Sequence, residues 1–265
     1  MDDNLKELAK VIEGAVTELY KDAVSPSIQP IGTMLSYLPR TIRLAFNRRE
    51  KWIINGEESL KLTGDLLRER IKEIPEYKLC EPEPYIAIPA IQQLSYCENS
   101  DVLRELYANL LASSMNTDTK WNVHPSFVDI IKQLNPDEAK LLKSLLPHTF
   151  ASHPLLNIKY VHKKNIMHFT AISNFTNVGF DVIENKCNIC SYIENIERLK
   201  IIEIPTLDPL ADKTYESLKE NSVLKKLIEN VNASGNWLDM FEIRYEYQSF
   251  NLTNFGVNFI KISCN

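Results

Sequence analysis

Tyr192-Ile193-Glu194-Asn195-Ile196-Glu197-Arg198-Leu199 runs without a break into Lys200-Ile201-Ile202-Glu203-Ile204. The stretch reads as the end of a helix over 187–199 passing into a short strand over 200–204. Upstream, Asn157–His162 and Ile166–Thr170 are β-leaning runs around Lys163-Lys164-Asn165, the pattern of a hairpin. Downstream, residues 214–231 carry Leu224, Leu227, Ile228 and Val231 at helical spacing. Phe241, Ile243, Tyr245 and Tyr247 then alternate as in a strand, and Thr253 can cap a closing helix with Phe255, Phe259 and Ile260. From residue 136 the order is helix, strand, irregular or helical stretch, helix, strand, long insertion, strand, helix. By analogy of pattern, that is the connectivity of a winged helix with an inserted helix between its wing strands.

The N-terminal half is helical in character. Residues 4–22 place Leu5, Leu8, Ala9, Ile12, Ala15, Val16 and Leu19 on one face, and Ser25-Pro26 through Pro30 ends that helix. A second helical stretch covers about 31–74, with Pro39 as a kink or break. Glu81-Pro82-Glu83-Pro84 reads as an extended connector. Ser100 or Asp101 caps a helix bearing Val102, Leu103, Leu106, Tyr107, Leu110, Leu111 and Met115. Asn135-Pro136-Asp137-Glu138 is a helix start, with Asn as cap, Pro in the first turn and Glu reaching back as in a capping box. The expected fold is therefore mainly α with a smaller α+β part. Residues 1–134 form a helical region, with 1–30 as a helical arm, and 135–265 form a winged-helix-like domain.

Bulk properties narrow the function. The 265 residues have 44% hydrophobic and 25% charged content, ordinary for a folded chain, and only 7 glycines, which disfavours glycine-rich phosphate loops. Net charge is −5; up to residue 150 there are 18 basic and 22 acidic residues, after it 12 and 13. Neither half attracts nucleic acid or anionic membrane as a whole. The acidic start MDDNLKELAK lacks the apolar core of a signal peptide, and no run of about 18 apolar residues predicts a transmembrane helix. Five cysteines, an odd number, read as reduced thiols in the cytoplasm.

The blocks Leu103-Arg104-Glu105-Leu106-Tyr107-Ala108-Asn109-Leu110-Leu111-Ala112-Ser113-Ser114-Met115 and Val123 through Ala139, the latter containing His124-Pro125-Ser126-Phe127, resemble the abortive-infection alpha family of bacterial proteins. The helix and strand at 192–204 and the ending at 252–259 fit as well, so the resemblance covers roughly residues 30–260. It implies a role in phage resistance, in which infected cells stop supporting phage growth. It brings no established catalytic residues.

Candidate sites each carry a structural alternative. In the His124-Pro125-Ser126-Phe127 turn, His124 and Ser126 can face a partner. Equally, Pro125 suits a first turn, Ser126 satisfies free backbone donors and Phe127 fills the core, the reading also favoured for Asn109. Cys187 and Cys190 have the spacing of half a zinc site, but no second pair accompanies them, and cysteines three apart on a helix pack as small apolar groups. Arg40, Arg43, Arg48, Arg49 and Lys51, interleaved with Leu38, Ile42, Leu44, Phe46 and Trp52, suit an anionic membrane surface or a phosphate backbone, or else a solvated helix face. The candidate recognition helix bears Glu194 and Glu197 beside Arg198, which opposes phosphate contact even with Lys159, Lys163 and Lys164 nearby in sequence. There is no HExxH, GxSxG, P-loop or GxGxxG, so no catalytic residue, cofactor or metal is assigned. The expectation is a non-catalytic phage-defence protein acting through a protein partner or self-association. Its alternatives are a winged-helix DNA-binding regulator and a membrane-surface effector using 40–51.

Overall fold

A computed structural model describes residues 62–94, 96–97, 99–206, 209–233 and 240–265. The arm at 1–30, the start of the second helical stretch and the basic cluster Arg40, Arg43, Arg48, Arg49 and Lys51 lie outside the described residues. The fold is α+β, and its contacts divide it into two compact units. One takes the described residues up to Pro136 together with Lys261–Asn265; the other is Asp137–Ile260.

The first unit is helical: α1 (62–72), α2 (Pro84–Leu94), α3 (Asp101–Ser114) and α4 (Ser126–Lys132). The proline connector is shorter than the sequence suggests, because Pro84 is the first residue of α2. A proline costs nothing there, since the first-turn N–H has no intrahelical partner, and the amides of Ile86 and Ala87 both bond the Glu83 carbonyl. Ser100 caps α3, its hydroxyl accepting from the Leu103 amide at 3.4 Å. The apolar faces of α2, α3 and α4 meet in a core of Ala90, Leu106, Tyr107, Leu110, Leu111, Met115, Phe127 and Ile131, all buried.

The second unit surrounds one antiparallel sheet. It runs α5 (Pro136–Ser144), β1 (His153–His162), β2 (His168–Phe175), α6 (Ile189–Arg198), β3 (Ile202–Glu203), α7 (Lys213–Lys219), α8 (Ser222–Asn232), β4 (Phe241–Leu252) and α9 (Asn254–Ser263), whose last turn belongs with the first unit. The strand order is β2-β1-β4-β3. The expected hairpin is present and longer than its sequence signal. β1 also pairs with β4 over ten positions, from His153↔Phe250 to His162↔Phe241. The single helix expected over 214–231 is two. Asn221 adopts extended backbone between them and caps α8, its side chain accepting from the Val223 amide at 2.9 Å. Of the four residues expected in register there, only Leu224 is fully buried.

The helix-to-strand passage of 192–204 closes with a reversal. Lys200 sits at φ 59°, the Ile201 amide reaches back to the Ile196 carbonyl at 3.1 Å, and the Lys200 amide to Glu197 at 2.8 Å. This paired capping pattern normally uses glycine at the left-handed position. α9 is then seated against the same turn. The Thr253 amide donates to the Ile201 carbonyl at 3.0 Å, and the Thr253 hydroxyl donates to Lys200 O at 2.7 Å while accepting from the Gly256 amide at 2.9 Å. Thr253 is therefore the cap its sequence position suggests.

Candidate functional site

Two of the first unit's polar groupings contain residues singled out in the sequence. Asn109 is buried on α3 between an arginine and the chain end. Its carbonyl oxygen accepts from Arg70 Nε at 3.0 Å, and its amide donates to the Ser263 carbonyl at 3.1 Å. Beside it Ser113 donates to the Ile262 carbonyl at 3.1 Å. These bonds tie the last residues to α3, 154 positions away in sequence for the Asn109 contact.

The second place is the turn at His124. Phe127 is fully buried, as expected, and Pro125 precedes the first residue of α4. The division of labour differs from expectation. The His124 ring, not the Ser126 hydroxyl, serves the free helix amide: Nδ1 accepts from the Ser126 N–H at 3.1 Å and lies 2.6 Å from Ser126 Oγ. A hydroxyl and an imidazole this close have the spacing of a nucleophile and its base. Here the same ring nitrogen is also engaged by the helix-start amide. The ring thus stands where a capping oxygen would stand, and that is the chemistry the arrangement supports.

In the second unit the main polar node is Asp137, nine-tenths buried at the start of α5. One carboxylate oxygen accepts from the Glu184 amide at 3.0 Å; the other accepts from the Asn185 amide at 2.9 Å and from Tyr192 Oη at 3.1 Å. Burial opposes its ionisation, but these donors and Lys140 outweigh it and hold the carboxyl below the usual carboxylate range. Next to it Glu138 accepts from Asn195 of α6 at 3.0 Å. Both acids that sequence assigns to a helix start therefore bind α6 and the segment before it. Their sequence signal, an acid at the first turn, does not reveal a partner 55 residues away.

Across the sheet, buried Asn157 fills a register irregularity of the hairpin. It accepts from the Asn174 amide at 2.7 Å, where φ is 58°, and donates to Glu246 and Gln248 on β4. Lys159 meets Glu246 at 2.6 Å, and the hydrogen bonds from Lys159 and Asn157 lower the Glu246 carboxyl below its ordinary range. On the opposite face Tyr215 stacks on Tyr247 with centroids 4.5 Å apart, and the Lys219 ammonium lies 5.0 Å from the Tyr247 ring. His153 is buried, stacked on Phe250, with Nε2 lacking a hydrogen-bond partner; burial pushes its pKa down. Sequence reasoning missed Asp137, Asn157 and His153 as nodes, because each is assembled by residues distant along the chain.

Cys187 and Cys190 do not share one helix. Cys187 is exposed in a 3-10 turn before α6, whereas Cys190 sits inside the helix, where burial pushes its thiol up to about 12. All five cysteines are free. Among the described residues no three His, Cys, Asp or Glu side chains come together as a metal would require. Nor is any described helix long and apolar enough to cross a membrane.

Comparison with solved structures gives an uncharacterized protein from the hydrocarbon-degrading marine bacterium Alcanivorax borkumensis SK2. It is 12% identical, with a TM-score of 0.34, over 56% of this chain and 96% of that one. No curated protein matches. The model of the abortive infection alpha family matches residues 56–263, which takes in both units and every polar node described above, and the chain belongs to that family.

Proposed function

We propose that this chain is a bacterial anti-phage defence protein that acts by binding protein, a partner or a second copy of itself, and not by catalysis. The observation that carries the reading is the family match over 56–263, since abortive infection is the arrest of phage growth within the infected cell. The non-catalytic half draws support from the polar nodes. Asp137, Glu138 and Glu246 are each engaged by donors of the fold, and the His124–Ser126 pair caps a helix. The proposed location is the cytoplasm, whose reducing conditions suit five free thiols.

The finer fold reading belongs to the same proposal. The passage from α6 into β3, with β4 and α9 returning to it, supports a winged-helix-like arrangement in 135–265, with α7 and α8 inserted. Residues 1–134 are proposed as a helical region preceding it, with 1–30 as a helical arm. A winged helix of this kind serves protein contact better than DNA: Glu194 is exposed on α6, and Lys159 is committed to Glu246.

Phage plating on bacteria expressing the chain tests the reading. Fewer or smaller plaques than with empty vector, without nucleic-acid or nucleotide degradation by the purified protein, is the expected result. Degradation abolished by alanine at one polar node would refute the non-catalytic reading. A salt-dependent gel shift lost on replacing Lys159, Lys163 and Lys164 would favour a DNA regulator instead.

A further inference from the structure

Among the described residues β4 is paired along the whole length of one edge and hardly at all along the other. β1 pairs with it throughout, whereas β3 takes only Asn251 and Leu252 on the far side. Two bonds set the parity of the strand: the Lys163 amide donates to Met240 O toward β1, and the Thr253 amide donates to Ile201 O on the β3 side. Main-chain groups in an antiparallel ladder point alternately to the two sides. The amides and carbonyls of Ile243, Tyr245 and Tyr247 therefore point to the open edge. Among the described residues no backbone group meets them there. Ile243 and Tyr245 are 39% and 42% exposed.

The side chains along this edge alternate in two ways. Ile243, Tyr245 and Tyr247 lie on one face, and Glu242, Arg244 and Glu246 lie on the other. An edge protected against pairing carries charges that repel a copy of itself. This edge carries charges of both signs: Arg244 and Glu246 flank Tyr245, so a copy reversed about Tyr245 sets each against the other, and Glu242 against neutral Gln248.

We propose that the open edge of β4 pairs antiparallel with the same edge of a second copy of this chain, about a two-fold axis at Tyr245. Such an interface is isologous, each residue meeting its counterpart reciprocally. In this register Tyr245 faces Tyr245 of the second copy, Ile243 faces Tyr247, and Arg244 faces Glu246, each of the last two occurring twice. Outward-pointing main-chain groups then meet outward-pointing ones, as the ladder requires. Centring the axis on Arg244 instead sets Arg against Arg and Glu242 against Glu246, and centring it on Glu246 sets Glu against Glu. Like charges directly opposite are unfavourable. The proposal rests on the self-association reading above and names its surface.

Sedimentation equilibrium of the full chain tests it, with circular dichroism to check folding. The wild type is expected at twice its 30.5 kDa at micromolar concentration. Arg244→Glu and Glu246→Arg are each expected to weaken the dimer about tenfold or more, since each sets two like-charge pairs opposite one another. Mixing the two variants restores Glu against Arg at both positions, and the dimer with it. Tyr245→Pro is a further test that leaves the β1 ladder intact, because the amide it removes points to the open edge. It is expected to be monomeric. A wild type at 30.5 kDa throughout, or dimers unaffected by Arg244→Glu and Tyr245→Pro, would overturn the proposal. So would a mixture of folded single variants that stays monomeric. Protection from phage by a chain measured as monomeric sinks the edge pairing and leaves the defence reading standing. A dimer that alters no phage plating does the reverse.

Discussion

Replacing Gly256 with alanine is expected to destabilise the second unit severely, although the substitution adds only a methyl group to a helix. A Cβ at 256 would overlap the Ile201 carbonyl oxygen and lie 2.7 Å from its carbonyl carbon and 3.0 Å from its Cα. Carbon–carbon contact is comfortable from about 3.5 Å, so the Ile201 backbone must retreat by at least about 0.8 Å, and further to clear its carbonyl oxygen. That carbonyl accepts from the Thr253 amide at 3.0 Å and the Thr253 hydroxyl at 3.2 Å, and the retreat strains both bonds. Overpacking costs about 1–3 kcal/mol, and two weakened hydrogen bonds add about 1–2 kcal/mol. The better helix propensity of alanine returns about 1 kcal/mol. The net expectation is a loss of about 1–4 kcal/mol, a large share of a domain's typical stability of about 5–15 kcal/mol. Urea denaturation followed by circular dichroism measures it. A midpoint unchanged from wild type would refute the reasoning that α9 is pinned to the Ile201 turn by backbone contact.

Lys200→Gly is expected to act in the opposite direction at the same turn. Removing a side chain from φ 59° stabilises the chain by about 0.5–1 kcal/mol, read as a higher urea midpoint. Asp137→Asn is expected to cost about 1–3 kcal/mol at neutral pH, because a buried charge-accepting node loses its strongest acceptor. Asp137 has a folded pKa below its unfolded one, so its stabilisation is present above the unfolded value and is lost as pH falls through the folded value. The variant should therefore lose less stability than wild type on acidification below about pH 4, with Glu246 and Glu220 among the groups that keep some acid sensitivity. His153 is also depressed, so stability should begin to fall as pH drops below about 6.5, and His153→Phe should flatten that part of the profile. Iodoacetamide at neutral pH is expected to alkylate exposed Cys187 well before half-buried Cys190, whose thiol is raised to about 12, or buried Cys97, raised to about 11. Peptide mass spectrometry reads the order, and equal labelling of Cys187 and Cys190 in the folded chain would contradict it.

Local signals were legible wherever local chemistry decides the outcome. Ser100 and Thr253 cap the helices they precede, and the β1–β2 hairpin and the strand beginning at Phe241 lie where alternation and turn residues place them. Pro84 was misplaced into a connector because a proline that ends extended chain and one that opens a helix look alike in sequence. The break at Asn221 was missed because apolar spacing continues across it, while the cap that decides it is a single side chain. Much less of the candidate site was visible. His124 was singled out, but its capping role depends on ring orientation. Asp137 and Asn157 draw their partners from residues 47 and 17 positions away, and no periodicity encodes such pairs. The edge of β4 left unpaired among the described residues was equally hidden, since a strand's sequence says which face is buried but not which edge is paired.

Efficiency of plating across a phage panel tests the central claim most directly, using bacteria that express the wild type, Arg244→Glu, Glu246→Arg, or both variants together. The account predicts that the wild type lowers plating of at least one phage, that each single variant loses the effect, and that co-expression restores it. Plating equal to empty vector for the wild type on every phage would contradict the defence function. Protection retained by every folded single variant would contradict its proposed route through β4.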